Sequence, residues 1–322
     1  MNKAIQIEKF LELPGTIIDV RSPAEYQHSN LPESVSIPLF SNEERVEIGT
    51  LYKQVGQEEA IDLGLKIVGP KLSEIISEAR DLCQGHPLKI YCWRGGMRSN
   101  FLAQTLNLIG IPSLVLQGGY KSFRRLALET ISKEWSLKTL GGLSGSDKTG
   151  MLYSLQEKGE QMLDLEGLAN HRGSSFGGIG KPPQPSVEAF ENRLAYNLLQ
   201  LDPEKPIWVE DESRLIGCCK VPDSFYKNMQ TSPLYILNIP REERLETLVK
   251  VYGSLDCEKL VEATTRLQKQ LGGERTKQVC EYFRQNNPHA AIDLVLGYYD
   301  KAYSYSIEKR QAQLQTFDKL TD

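Results

Sequence analysis

At two places in this chain, Leu88 to Ser99 and Thr139 to Thr149, a short apolar strand runs into a glycine-containing loop and then a helix. That order of elements aims backbone N–H groups at one spot. The loop amides and the helix N-terminus together make an anion nest. It also constrains the fold, because strands alternating with helices assemble a parallel α/β sheet. Thr16–Val20, Ser34–Leu39, Leu88–Cys92 and Ser113–Leu116 read as strands in the first part of the chain. Ser22 with Pro23 opens a helix, and helical spacing of apolar residues runs over Pro70–Cys83 and Ser99–Ile109. Beyond Leu137, Ile207–Glu210 and Leu234–Asn238 add strands, and the chain from Arg241 onward is mostly helical. Gly173–Pro185 is the one long irregular segment, of a kind that often carries function.

A chain of 322 residues suits two domains. The pattern divides it into an α/β domain over 1–136 and a second α/β domain with a helical C-terminal part over 137–322. The first residues lack a signal-peptide run, and no stretch nears the roughly 18 to 20 apolar residues of a membrane span. A cytoplasmic protein without a membrane partner is expected. Six cysteines show no CxxC pair and no Cys/His zinc spacing, so no metal site is assigned. A net charge of -4 excludes a surface that grips nucleic acid all over, but not a local basic face such as Lys121, Arg124 and Arg125.

Cys92 stands at the end of a buried strand and is followed by Arg94, Gly95, Gly96 and Arg98. The nest stabilises a thiolate there and makes Cys92 the candidate nucleophile, with the two arginines adding positive charge. This loop, with Asp19-Val20-Arg21-Ser22-Pro23-Ala24-Glu25-Tyr26 upstream, resembles the rhodanese family. In that family Asn30-Leu31-Pro32-Glu33-Ser34 would usually read H-I-P-G-A. Asp19 and Arg21 are expected to organise the surroundings of the loop.

Gly142-Leu143-Ser144-Gly145-Ser146-Asp147-Lys148-Thr149 matches the P-loop pattern G-x-x-x-x-G-K-[ST] except at Asp147. Gly142, Gly145, Ser146, Lys148 and Thr149 are the candidate phosphate ligands. A carboxylate beside an anion site repels it by about 1 to 4 kcal/mol depending on screening, and its Cβ strains a glycine turn. A loop kept only for its fold is the competing reading. Glu210 to Glu212 form an acidic strand end of the kind that orients water or metal near a phosphate, and Glu166, His171 and Arg172 are further candidates. The vicinal pair Cys218-Cys219 and the tyrosines 298, 299, 303 and 305 read as packing.

A rhodanese-like domain joined to a P-loop NTPase-like domain is an unusual pairing, and the whole chain resembles the tRNA 2-selenouridine synthase family. Besides the Cys92 loop, the likeness rests on Gly49-Thr50-Leu51-Tyr52-Lys53-Gln54-Val55-Gly56-Gln57, on Asp164 to Ser174 and on Glu210 to Gly217. The resemblance implies a transferase acting on wobble 2-thiouridine of tRNA. Its sulfur would be alkylated by geranyl diphosphate and then displaced by selenium from selenophosphate. Both are co-substrates, with no tightly bound cofactor, while a Mg²⁺ requirement, the tRNAs used and the oligomeric state stay open. A plain rhodanese-type sulfurtransferase and a tRNA-binding protein with a degenerate P-loop are the alternatives.

Overall fold

The computed structural model describes residues 4–308 and 314–317. It divides into two compact units, 1–129 and 130–322, each with its own five-stranded parallel sheet. The first unit runs β1 (Ala4–Ile5), α1 (Ile7–Glu12), β2 (Ile17–Asp19), α2 (Pro23–His28), β3 (Val35–Ser36), α3 (Asn42–Gln54), α4 (Gln57–Val68), α5 (Leu72–Asp81), β4 (Leu88–Tyr91), α6 (Met97–Leu108) and β5 (Ser113–Leu116). Helix α7 (Tyr120–Ser132) carries the boundary. The strand order is β1-β5-β4-β2-β3, with Ile90 of β4 in register with Ile18 and Val115. All four residues of β4 are buried, as expected for a parallel strand covered on both faces. Ile18, Ile90, Leu102, Leu106 and Val115 build the core.

Residues 42–68, which the apolar pattern leaves unassigned, form two helices. Ser41 and Glu44 start the first reciprocally: the Ser41 N–H donates to Glu44 Oε2 (2.7 Å) and the Glu44 N–H to Ser41 Oγ (3.2 Å). Helix α3 buries none of its residues, which is why hydrophobic periodicity alone does not mark it.

The second unit continues with β6 (Leu137–Gly142), α8 (Lys148–Glu157), β7 (Gln161–Leu163), α9 (Leu165–Leu168), α10 (Val187–Leu199), β8 (Ile207–Glu210), β9 (Leu215–Ile216), β10 (Cys219–Lys220), α11 (Asp223–Thr231), β11 (Leu234–Leu237), α12 (Arg241–Tyr252), α13 (Cys257–Arg266), α14 (Gln268–Leu271), α15 (Gly273–Arg284), α16 (Pro288–Glu308) and β12 (Leu314–Phe317). The main sheet is ordered β12-β11-β6-β8-β7, every pair parallel. The helical C-terminal region has its own core around Leu260, Val279, Phe283, Ala291 and Leu296. Within this mostly helical region, β12 adds one strand at the edge of the main sheet.

Candidate functional sites

Cys92 follows the last residue of β4, is 3 % exposed, and has its Sγ 3.2 Å from Ser99 Oγ on the first turn of α6. Gly96 caps α6 without a side-chain hydrogen bond, so no side chain competes for the first amides of the helix. The loop is held from behind by the segment after β5. The Tyr120 N–H donates to the Cys92 carbonyl (2.8 Å) and the Lys121 N–H to the Trp93 carbonyl (3.2 Å). Gly119, at φ 59°, approaches so closely that a Cβ there would collide with the Cys92 carbonyl and the Gly95 nitrogen. Of the two arginines, Arg98 is held by Glu25 (3.0 Å) and Arg94 lies exposed. The Arg98 pair and burial act oppositely on Glu25, whose pKa is lowered despite its partial enclosure.

Asp19 and Arg21 form a buried ion pair (2.7 Å) beneath this loop. The Arg21 guanidinium also donates to the Ser29 carbonyl (2.7 Å) and lies 4.1 Å from the Tyr120 ring centroid, and Tyr120 stacks on Trp93 at 5.5 Å. Tyr91 donates its hydroxyl to Asp19 (2.7 Å). Burial, reinforced by Asp19, holds the Tyr91 pKa well above its ordinary value and keeps it a neutral donor. Burial pulls the Arg21 pKa down, but the Asp19 hydrogen bonds outweigh it and the guanidinium stays charged. The D-x-R motif thus builds the floor of the loop.

In the second unit, β6, β8 and β7 lie side by side and parallel, so their C-terminal ends share one edge, where α/β sheets place their ligands. The phosphate loop follows β6, Asp211 and Glu212 follow β8, and Glu166 follows β7 on α9. A cavity of about 600 Å³ opens between them. Its polar lining includes Ser144, Gly145, Lys148, Glu166, Arg172 and Glu212, and its apolar lining includes Leu248, Leu260, Phe283, Ile292, Val295 and Leu296 from the helical region. The volume falls in the range of roughly 300–1,000 Å³ usual for small-ligand sites.

Lys148 Nζ folds back toward the Gly142 carbonyl (3.4 Å), and the Ser146 hydroxyl is buried without a partner. Thr149 is the second residue of α8. Asp147 keeps the glycine-like backbone, at φ 56°, ψ 46°. Aspartate is among the few residues that tolerate this region, and its carboxylate caps α8 through the Gly150 N–H (3.3 Å).

Glu166 and Glu212 share a hydrogen bond between their carboxyls, and Gly173 packs against both. Burial and the neighbouring carboxylate push Glu212 up to about 8, and burial raises Glu166 in spite of Lys148. Glu210 is fully buried with Oε1 unpartnered. Its Oε2 accepts the Leu165 N–H (3.0 Å), so it positions the α9 segment from outside the cavity. Arg172 donates to the Ile179 carbonyl (3.1 Å) and lines the cavity. His171 is buried against Gly177, away from the cavity lining, and burial lowers its pKa. Among the described residues, no group of three or more His, Cys, Asp or Glu is placed to hold a metal ion.

Sequence reasoning missed the residues that reach the phosphate loop from the helical region. Arg244, 3 % exposed, donates to the Ser144 carbonyl (3.0 Å) and pairs with Asp300 (2.8 Å). Tyr303 accepts the Gly142 N–H (2.9 Å) and donates to Asp211 (2.9 Å). Tyr299, Tyr303 and Tyr305 line the cavity, so these tyrosines do more than fill a helical core. Cys219 is buried, and burial with the neighbouring Cys218 pushes its thiol up to about 12, as suits a packing residue. Lys121 and Arg125 are exposed along α7.

The family described as "tRNA 2-selenouridine synthase AAA domain" matches residues 136–321, and the rhodanese-like domain family matches residues 3–126. Proteins named tRNA 2-selenouridine synthase are similar along nearly the whole length. The one from Sulfurovum sp. is 35% identical, covering 92% of this chain and 90% of its own. That from Marinobacter nauticus is 34% identical (92% and 90%), and that from Shewanella sediminis 35% (92% and 89%). With both domains matched in order and the likeness running end to end, the chain belongs to the tRNA 2-selenouridine synthase family.

Proposed function

We propose that this protein replaces sulfur by selenium at C2 of the wobble 2-thiouridine of tRNA in two steps, through an S-geranylated intermediate. The names of its relatives support the overall conversion. The observation that carries the first step is the composite cavity of the second unit. A lining that joins a phosphate loop with Lys148 to the apolar Leu260, Phe283, Ile292 and Leu296 suits a diphosphate joined to a hydrocarbon chain better than a nucleotide. Geranyl diphosphate has that shape. Lys148 and the loop amides would hold the diphosphate and stabilise it as it leaves. Alkylation solves a chemical problem, since a thiocarbonyl sulfur leaves poorly whereas an S-alkyl group leaves as a thiol. Cys92, in the anion nest of the first unit, would handle the selenium delivered from selenophosphate.

The test uses the purified protein and an anticodon stem-loop carrying 2-thiouridine. Geranyl diphosphate alone should yield the S-geranyl nucleoside, and later addition of selenophosphate the 2-selenouridine, both read by nucleoside mass spectrometry. Absence of a geranylated product would sink this reading. Sulfur transfer from thiosulfate without any change in the stem-loop would favour a plain sulfurtransferase instead.

A further inference from the structure

We infer that Glu166, paired with Glu212, is the base that removes the N3 proton of the thiouracil ring as its sulfur is alkylated. This rests on the prenyl transfer proposed above. In that step the sulfur lone pair forms the S–C1 bond to the prenyl chain. The C1–O bond breaks and its electrons leave with the diphosphate. The ring can stay neutral only if N3 gives up its proton, whose bonding pair becomes the C2=N3 bond as the C2=S π bond breaks and its pair returns to sulfur. The proton passes to the Glu166 carboxylate and from there to water. Charge and atoms balance with no further reagent.

Among the described residues, three carboxylates line the cavity: Glu166, Asp211 and Glu212. Asp211 accepts the Tyr303 hydroxyl (2.9 Å) and is occupied in holding the phosphate loop. Glu210 is fully buried and outside the lining, and His171 is enclosed in its own loop. The Glu166–Glu212 pair is therefore what the cavity offers as a base. Glu212 follows β8, the neighbour of β6, and Glu166 follows β7, the neighbour of β8. Both interact with the charge of Lys148, next to where the diphosphate would leave. The charged groups around the pair are Lys148, Lys181, Asp164, Asp211 and Glu210. Burial outweighs the two lysines and keeps one proton on the pair at neutral pH. Glu212, held up to about 8, keeps that proton and donates it in a hydrogen bond to Glu166. A base with a raised pKa is better matched to neutral pH than an ordinary carboxylate.

The experiment is single-turnover alkylation of a 2-thiouridine stem-loop by geranyl diphosphate, followed against pH. The wild-type rate should fall on the acid side as Glu166 takes a proton. Above about pH 8 the KM for geranyl diphosphate should rise, as Glu212 ionises beside Lys148. Glu166→Gln should lower kcat by about 100-fold or more with KM changed by less than about threefold. A 5-substituent that withdraws electrons and acidifies N3 should restore much of that loss, which a merely structural role would not allow. Glu212→Gln, which keeps a neutral hydrogen-bond donor beside Glu166, should lose the alkaline rise in KM. Wild-type kcat in Glu166→Gln, or equal losses with both ring substrates, overturns the inference. Should the variant misfold, an acid limb at the ordinary carboxylate value in the wild type overturns it as well. If the wild type alkylates nothing, the prenyl-transfer reading itself fails.

Discussion

The carboxylate of Asp147 turns back and accepts the Gly150 N–H at 3.3 Å, so a residue at the glycine position of a phosphate loop caps the following helix. The loop keeps its shape, because aspartate adopts the left-handed backbone there at modest cost. What changes is the charge at the nest. Replacing Asp147 by Asn keeps the backbone and the cap while removing the charge. Asp147→Asn should tighten inorganic diphosphate binding by about fivefold, the equivalent of about 1 kcal/mol of exposed repulsion, with Tm nearly unchanged. Asp147→Gly should gain as much. Titration calorimetry with diphosphate checks both, and equal affinity for all three proteins would show that the carboxylate does not compete with the ligand.

Cys92 and the phosphate loop are expected to act in separate steps. Cys92→Ser should abolish selenium incorporation while geranylation stays within about twofold of wild type. Loss of both activities in a folded variant would refute the division of labour.

Removing Arg21 leaves the Asp19 carboxylate buried with no counter-charge. Arg21→Ala should therefore destabilise the first unit by about 3 to 5 kcal/mol, seen as a lowered unfolding midpoint in denaturant. Arg21→Lys should recover only part of this, since lysine lacks the planar fork and the stacking on Tyr120. A loss below about 1 kcal/mol for the alanine variant would mean that water reaches Asp19.

Glu212 makes stability depend on pH in the direction opposite to most acidic groups. Its folded value of about 8 lies above that of the unfolded chain, so the folded state binds more protons in between. Its contribution is complete below the unfolded pKa and declines as pH rises from about 5 to about 8. Wild-type Tm should fall over that window relative to Glu212→Gln, in which the slope is removed. Parallel Tm curves for the two proteins would contradict the raised value.

The local motifs were legible because their physics is local. A buried strand, two glycines and a helix start within ten residues announce the Cys92 loop, and Gly142 to Thr149 announce the phosphate loop. The same pattern yields the parallel sheets, and Ser22 with Pro23 marks the start of α2. What escaped arrives through the tertiary fold. Arg244 meets Ser144 across 100 residues and Tyr303 meets Gly142 across 161, and nothing in the sequence around either announces its partner. The acidic strand end after β8 and Glu166 were visible as candidates, but their pairing depends on the neighbouring positions of β7 and β8. Glu33, where the rhodanese family has glycine, takes φ 64°, so an acidic residue holds a left-handed turn there as Asp147 does in the other unit.

The lining of the cavity in the second unit comes from two kinds of element: loops at the edge of a sheet bring the charged side chains, and a helical bundle brings apolar ones. For the prenyl diphosphate proposed above, recognition of the head and measurement of the tail could therefore drift apart in evolution. A lineage could lengthen or shorten the hydrocarbon it accepts by trading side chains at Leu260, Phe283 or Leu296 while leaving the chemistry at the sheet untouched.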